Sequence, residues 1–175
     1  FFYYITDKLT MIQATTETAI IINVQTEDNR INTSVASTQI RHLVKFTNDL
    51  DKSVFYAYGA TETIKDRFTK LTFTWANPSV IINPNIYTGQ TNILPAGYYK
   101  YEIYEVSWIG TVTISSGNAP ATEDDVLSPV ANDKGVVQGL VTKGKMNLSE
   151  KDGTQQVQYT QREAPIENNY IYYGQ

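Results

Sequence analysis

Between Tyr98 and Trp108 the side chains alternate without a break. Tyr99, Tyr101 and Ile103 fall on one side of an extended chain, and Tyr98, Lys100, Glu102, Tyr104, Val106 and Trp108 on the other. Successive side chains of a strand point to opposite faces, so this period of two marks a β-strand; a helix would scatter the same residues around its circumference. Pro95-Ala96-Gly97, directly upstream, punctuates the chain and launches the strand. The second face mixes charge with aromatic rings. One side of the strand is therefore expected in the core and the other half covered.

The same device recurs along the chain. Ile40, His42, Val44 and Phe46 oppose Arg41, Leu43 and Lys45, and Leu71, Phe73 and Trp75 oppose Lys70, Thr72 and Thr74. Thr18–Val24, Val54–Tyr58, Ile109–Ile114, Val136–Lys143, Gln155–Thr160 and Tyr170–Tyr173 are further strand candidates. Turn chemistry falls between the runs, at Thr47-Asn48-Asp49, Asn77-Pro78 and Asn83-Pro84. No stretch of helical length shows a 3.6-residue period. The pattern predicts an all-β, antiparallel β-sandwich, immunoglobulin-like or jelly-roll-like, over residues 18–159. Residues 1–17 are expected to form an extended N-terminal arm and residues 160–175 a C-terminal segment or arm. Residues 115–135, which carry Glu123-Asp124-Asp125, read as a long polar loop.

Composition narrows the chemistry. The chain has no cysteine and a single histidine, His42, which removes disulfides, thiolate metal sites and cysteine nucleophiles. Fourteen basic and 18 acidic residues give a formal charge of −4, which argues against nucleic acid as a partner. The longest apolar run, Ala19–Ile22, falls far short of the roughly 20 residues that span a bilayer. Phe1-Phe2-Tyr3-Tyr4-Ile5 has neither the basic region nor the small-residue cleavage site of a signal peptide, and the first methionine is Met11. The expectation is a processed chain or a start that lies elsewhere. Exposed, that aromatic segment would adhere to other surfaces, so it is expected to be covered by a sheet or another chain.

Each candidate for chemistry has a plainer alternative. His42 is in phase with Val44 and Phe46, as a core histidine bonded to backbone would be; a catalytic base would need a nucleophile and an orienting carboxylate nearby. Glu123, Asp124, Asp125 and Asp133 match no calcium-loop spacing. Glu102 and Glu105 fall on opposite faces of one strand and cannot pair as glycosidase carboxylates do. Gly135, Gly139 and Gly144 do not form a phosphate loop and suggest bulges or close backbone approach. Tyr98, Tyr99, Tyr101, Tyr104 and Trp108 could form a sugar-stacking platform, or they could serve packing and a protein interface. No catalytic residue, metal ligand or cofactor site is assigned. The candidate protein-interface residues are Phe1, Phe2, Tyr3, Tyr4, Tyr98, Tyr104, Trp108, Tyr170, Tyr172 and Tyr173.

Three stretches carry a resemblance: Phe46-Thr47-Asn48-Asp49, Lys65-Asp66-Arg67-Phe68 and Gly97-Tyr98-Tyr99-Lys100-Tyr101-Glu102-Ile103-Tyr104-Glu105. With Gly139-Leu140-Val141 and the closing Tyr170-Ile171-Tyr172, these resemble β-sandwich virion proteins of tailed bacteriophages, which associate with the capsid surface or the neck. The likeness covers roughly residues 40–173. It departs at His42, where an apolar residue is usual, and at the longer insertion from Ser115 to Gly135. It implies a non-enzymatic auxiliary or decoration protein without a cofactor. Its implied partner is the major capsid protein or another virion protein, and its implied location is the virion, assembled in the host cytoplasm. Aromatic arms suit strand addition to a neighbour's sheet, in many copies. The alternative expectation is a tail or fibre adhesion module that binds host-surface carbohydrate.

Overall fold

The computed structural model describes residues 11–65, 67–128 and 131–152. Nine strands form in chain order: β1 (Ile12–Thr15), β2 (Ile20–Val24), β3 (Ile40–Asn48), β4 (Val54–Tyr58), β5 (Thr61–Ile64), β6 (Thr69–Trp75), β7 (Gln90–Thr91), β8 (Gly97–Ser107) and β9 (Val136–Ser149). One sheet has the order β1-β9-β8-β3-β4. The other has the order β2-β6-β5, with β7 also pairing with β6. The two pack face to face, so the all-β sandwich expected from the alternation is the fold.

The alternation decides which side chains meet between the sheets. Val44 and Phe46 on β3, Tyr99, Tyr101 and Ile103 on β8, and Met146 and Leu148 on β9 face Ile20, Ile22, Val24, Leu71 and Phe73 of the second sheet. Phe46 and Phe73 meet edge to face across the gap, with centroids 5.7 Å apart. Such a geometry sets the positive ring edge against the negative ring face. The outer face of the second sheet presents Lys70, Thr72 and Thr74 and needs no cover.

The outer face of the first sheet is different, because it too is apolar. Leu43, Tyr58, Val106, Trp108 and Ala119 form a second buried cluster, against which Tyr56, Tyr104, Val112, Ile114 and Val137 pack. The long connection from β8 to β9 lies over this face as a third layer. This corrects two expectations. Ile109–Ile114 is not a strand: Val112 and Ile114 contribute to the covering layer from irregular backbone. Trp108, expected at an interface, is fully buried. The loop expected over residues 115–135 is irregular where described, and Ala119 packs it onto the sheet as a fitted strap above Trp108.

Two further differences concern the edges. The sheets are not purely antiparallel: β1 runs parallel to β9, with Ile12 beside Met146 and Thr15 beside Ser149, and β7 runs parallel to β6. Ile12–Thr15 therefore belongs to the sandwich, which begins before Thr18, and the expected arm is shorter by that strand. The strand predicted from Val136 extends to Ser149 and is irregular opposite Ile103–Val106, where it carries bulges around Gly139. At Gly144 a β-carbon would collide with the Tyr101 ring, and at Gly135 it would lie 2.6 Å from the Trp108 ring. Close approach explains both glycines. Gln155–Thr160, Tyr170–Tyr173 and residues 1–10 lie outside the described residues.

Candidate functional site

Most of the titratable groups singled out in the sequence are drawn into internal contacts; Asp124 and Asp133 make no side-chain hydrogen bond or ion pair among the described residues. His42, on β3, points between the sheets and sets Nδ1 2.6 Å from Glu62 Oε1 on β5, with both side chains almost fully buried. A backbone partner was expected; the actual partner is a carboxylate from a strand the sequence did not reveal. Glu105, also inward, accepts the main-chain N–H of Ile31 and of Asn32, each at 2.8 Å, and so anchors the long β2–β3 connection. Glu102 lies on the outer face, 2.7 Å from Lys100. The two glutamates do point to opposite faces.

Two members of the acidic triplet, Glu123 and Asp125, take separate tasks. Glu123 accepts from Lys45 and, at 2.6 Å, from the Tyr56 hydroxyl, which fastens the strap to β3 and β4. Burial alone would raise its carboxyl, but the hydrogen bonds from Lys45 and Tyr56 outweigh that and hold it below the usual range. The Tyr56 hydroxyl is pushed up to about 12, first by burial and then by the bond to Glu123. Lys45 is raised, chiefly through the same carboxylate. Asp125 accepts the N–H groups of Ala121 and Thr122 and closes a turn within the strap. Tyr58 donates to the Pro120 carbonyl at 2.7 Å, a second fastening.

The aromatic residues separate likewise. Tyr99, Tyr101 and Trp108 are buried, on two different faces of the sheet, and Tyr104 is half-buried under the strap. The five cannot form one stacking platform, because alternation sends them into separate layers. Tyr98 is the exception. It is 57% exposed at one end of the sandwich, where it lines an apolar cleft of about 370 Å³ with Asn48, Asp49, Leu50, Pro95, Ala96 and Gly97. The β3–β4 turn supplies one wall, held by Asn48 Oδ1, which accepts from the Leu50 N–H. The Pro95–Tyr98 segment supplies the other, where the Pro95 carbonyl accepts from the Tyr99 hydroxyl at 2.6 Å. Leu50 stands 89% exposed on the rim. The remaining interface candidates, Phe1, Phe2, Tyr3, Tyr4, Tyr170, Tyr172 and Tyr173, lie outside the described residues.

The flanks of the sandwich are a second candidate surface, and they are unlike one another. On one flank, β5 carries the inward-pointing Glu62, while β4 is approached by β7 and the short turn Ile86–Thr88, whose Tyr87 stacks on Tyr58. On the other flank lie the edge strands β1, Ile12-Gln13-Ala14-Thr15, and β2, Ile20-Ile21-Ile22-Asn23-Val24. Neither contains a charged residue or a proline, and Ile21 is half-exposed. Among the described residues no strand pairs with their outer edges. The sequence shows Ala19–Ile22 as its longest apolar run but not its edge position, which pairing alone reveals. No protein-family model, curated protein sequence or solved structure matches this chain.

Proposed function

We propose that this chain is a non-enzymatic structural protein of a virion, an auxiliary or decoration protein of the tailed-phage type, held by neighbours through strand addition. The observation that carries the reading is the flank formed by β1 and β2. Sheet edges offer rows of main-chain donors and acceptors, and monomeric proteins blunt them with charge, proline, inward-pointing charged residues or a covering element. Among the described residues the β4–β5 flank carries two of those devices, whereas the β1–β2 flank, apart from the shortness of its strands, carries no charge, proline or covering element. An unblunted, uncharged edge is what a binding strand needs, since main-chain bonds supply affinity and alternate side chains supply register.

The partner in this reading is the major capsid protein or an adjoining copy. Each added main-chain bond contributes about 0.5–1.5 kcal/mol. A short strand is thus a weak attachment that a lattice multiplies. The resemblance in residues 40–173 supports the virion setting. The alternative, a carbohydrate-binding adhesion module, loses the aromatic platform on which it rested. The test is co-migration with intact particles on a density gradient, with copy number measured against the shell protein. Specific recruitment at a fixed ratio agrees with the reading; a protein that stays at the top of the gradient contradicts it.

A further inference from the structure

We infer that the cleft between Asn48–Leu50 of the β3–β4 turn and the Pro95–Tyr98 segment is a docking site for this chain's own aromatic segment, Tyr170-Ile171-Tyr172-Tyr173, seated within the same molecule. The cleft is walled by Leu50, Pro95, Ala96, Gly97 and the Tyr98 ring. At about 370 Å³ it is near the small end of ligand pockets and fits one or two large side chains rather than a folded element. An exposed leucine and an exposed tyrosine facing one apolar hollow form a surface that water disfavours.

The route of the chain selects the occupant. A second cleft, of about 330 Å³, shares Pro95 and Ala96 with the first, and Asp152, the last described residue, lines it with Glu150 and Lys151. The chain thus leaves the sandwich next to the docking cleft. Residues 153–169 can reach at most about 60 Å, enough to return Tyr170 to its own cleft. A tether of that length sets an effective concentration near the millimolar range, so even a weak apolar site is filled. The segment is uncharged, and its three phenols can bury their rings while their hydroxyls reach water or the Asp49 rim. The N-terminal aromatic segment is less well placed. β1 runs from Ile12 beside Met146 to Thr15 beside Ser149, toward the cleft, so the chain enters that strand at its far end. This inference concerns the free chain and does not depend on the virion role.

The test places a photoreactive benzoylphenylalanine at Tyr98 in the full chain. After irradiation and trypsin digestion, a crosslink from the monomer band to the peptide Glu163–Gln175 is expected. A crosslink found only in a dimer band, one to Phe1–Lys8, or none at all overturns the inference. A second measurement avoids the altered residue: the Leu50 and Ala96 methyl resonances should shift between the wild-type chain and full-length Ile171→Asp/Tyr172→Asp. Unchanged resonances overturn it equally.

Discussion

His42 Nδ1 and Glu62 Oε1 lie 2.6 Å apart in the space between the two sheets, and this contact ties β3 of one to β5 of the other. The single histidine of the chain is thus a fastening of the sandwich, and it also explains how a charged residue comes to point inward from an edge strand.

A buried pair that loses one member leaves the other without compensation. His42→Leu is expected to cost about 3–5 kcal/mol, and Glu62→Leu a similar amount, while the double variant loses much less than their sum. A double-mutant cycle by urea unfolding measures this. Additive losses would show that the contact carries no coupling.

The strap over Trp108 should give stability two pH limbs. The folded-state carboxyl of Glu123 is depressed, so its contribution is present above the unfolded value near 4.5 and is lost as pH falls through the folded one. The Tyr56 hydroxyl is raised from 10.0 to about 12, so its contribution is present below pH 10 and is lost as pH rises across that interval. Glu123→Gln should match the wild type in strong acid and fall below it above about pH 4.5, by thermal melts across pH. Tyr56→Phe should flatten the alkaline limb without abolishing it, since the hydroxyls of Tyr58, Tyr99, Tyr101 and Tyr104 are also raised by burial. Parallel curves would remove the strap contacts from the account.

Trp108 was expected at an interface and is enclosed by the strap. In a Trp75→Phe background its fluorescence should be blue-shifted and resistant to acrylamide, and Trp108→Ala should cost about 3–5 kcal/mol. Ready quenching would mean that the third layer is not closed.

Gly144→Ala drives a β-carbon into the Tyr101 ring and should cost about 1–3 kcal/mol. Adding Tyr101→Phe removes the nearest clashing atom, the hydroxyl, and should restore part of the loss in the same denaturation assay. No recovery would place the strain elsewhere.

What the sequence made legible follows from length and alternation. β2, β3, β4, β6 and β8 were predicted nearly as they stand: β3, β6 and β8 from alternation over 7 residues or more, β2 and β4 from short runs of strand-favouring residues. β1 and β5, each four residues long, are too short for that signal, and Glu62 was missed with β5. The segment Ile109–Ile114 has strand-like residues, yet Val112 and Ile114 find their apolar surroundings over Trp108 without pairing. Faces were readable and layers were not: the pattern separated Tyr99 from Trp108, but only the returning strap shows that both faces are buried. The parallel pairing of β1 with β9, set by a contact across most of the chain, has no local signature at all.

The central claim is that the β1–β2 flank is the surface by which neighbours hold this protein. The most direct measurement compares wild type with Gln13→Lys/Ile21→Lys for co-sedimentation with intact particles, after thermal melts establish that both are folded. Charge on an open edge blocks strand addition, so the account predicts full recruitment of the wild type and loss of at least tenfold in the variant. Equal recruitment of the two, with both folded, would contradict it.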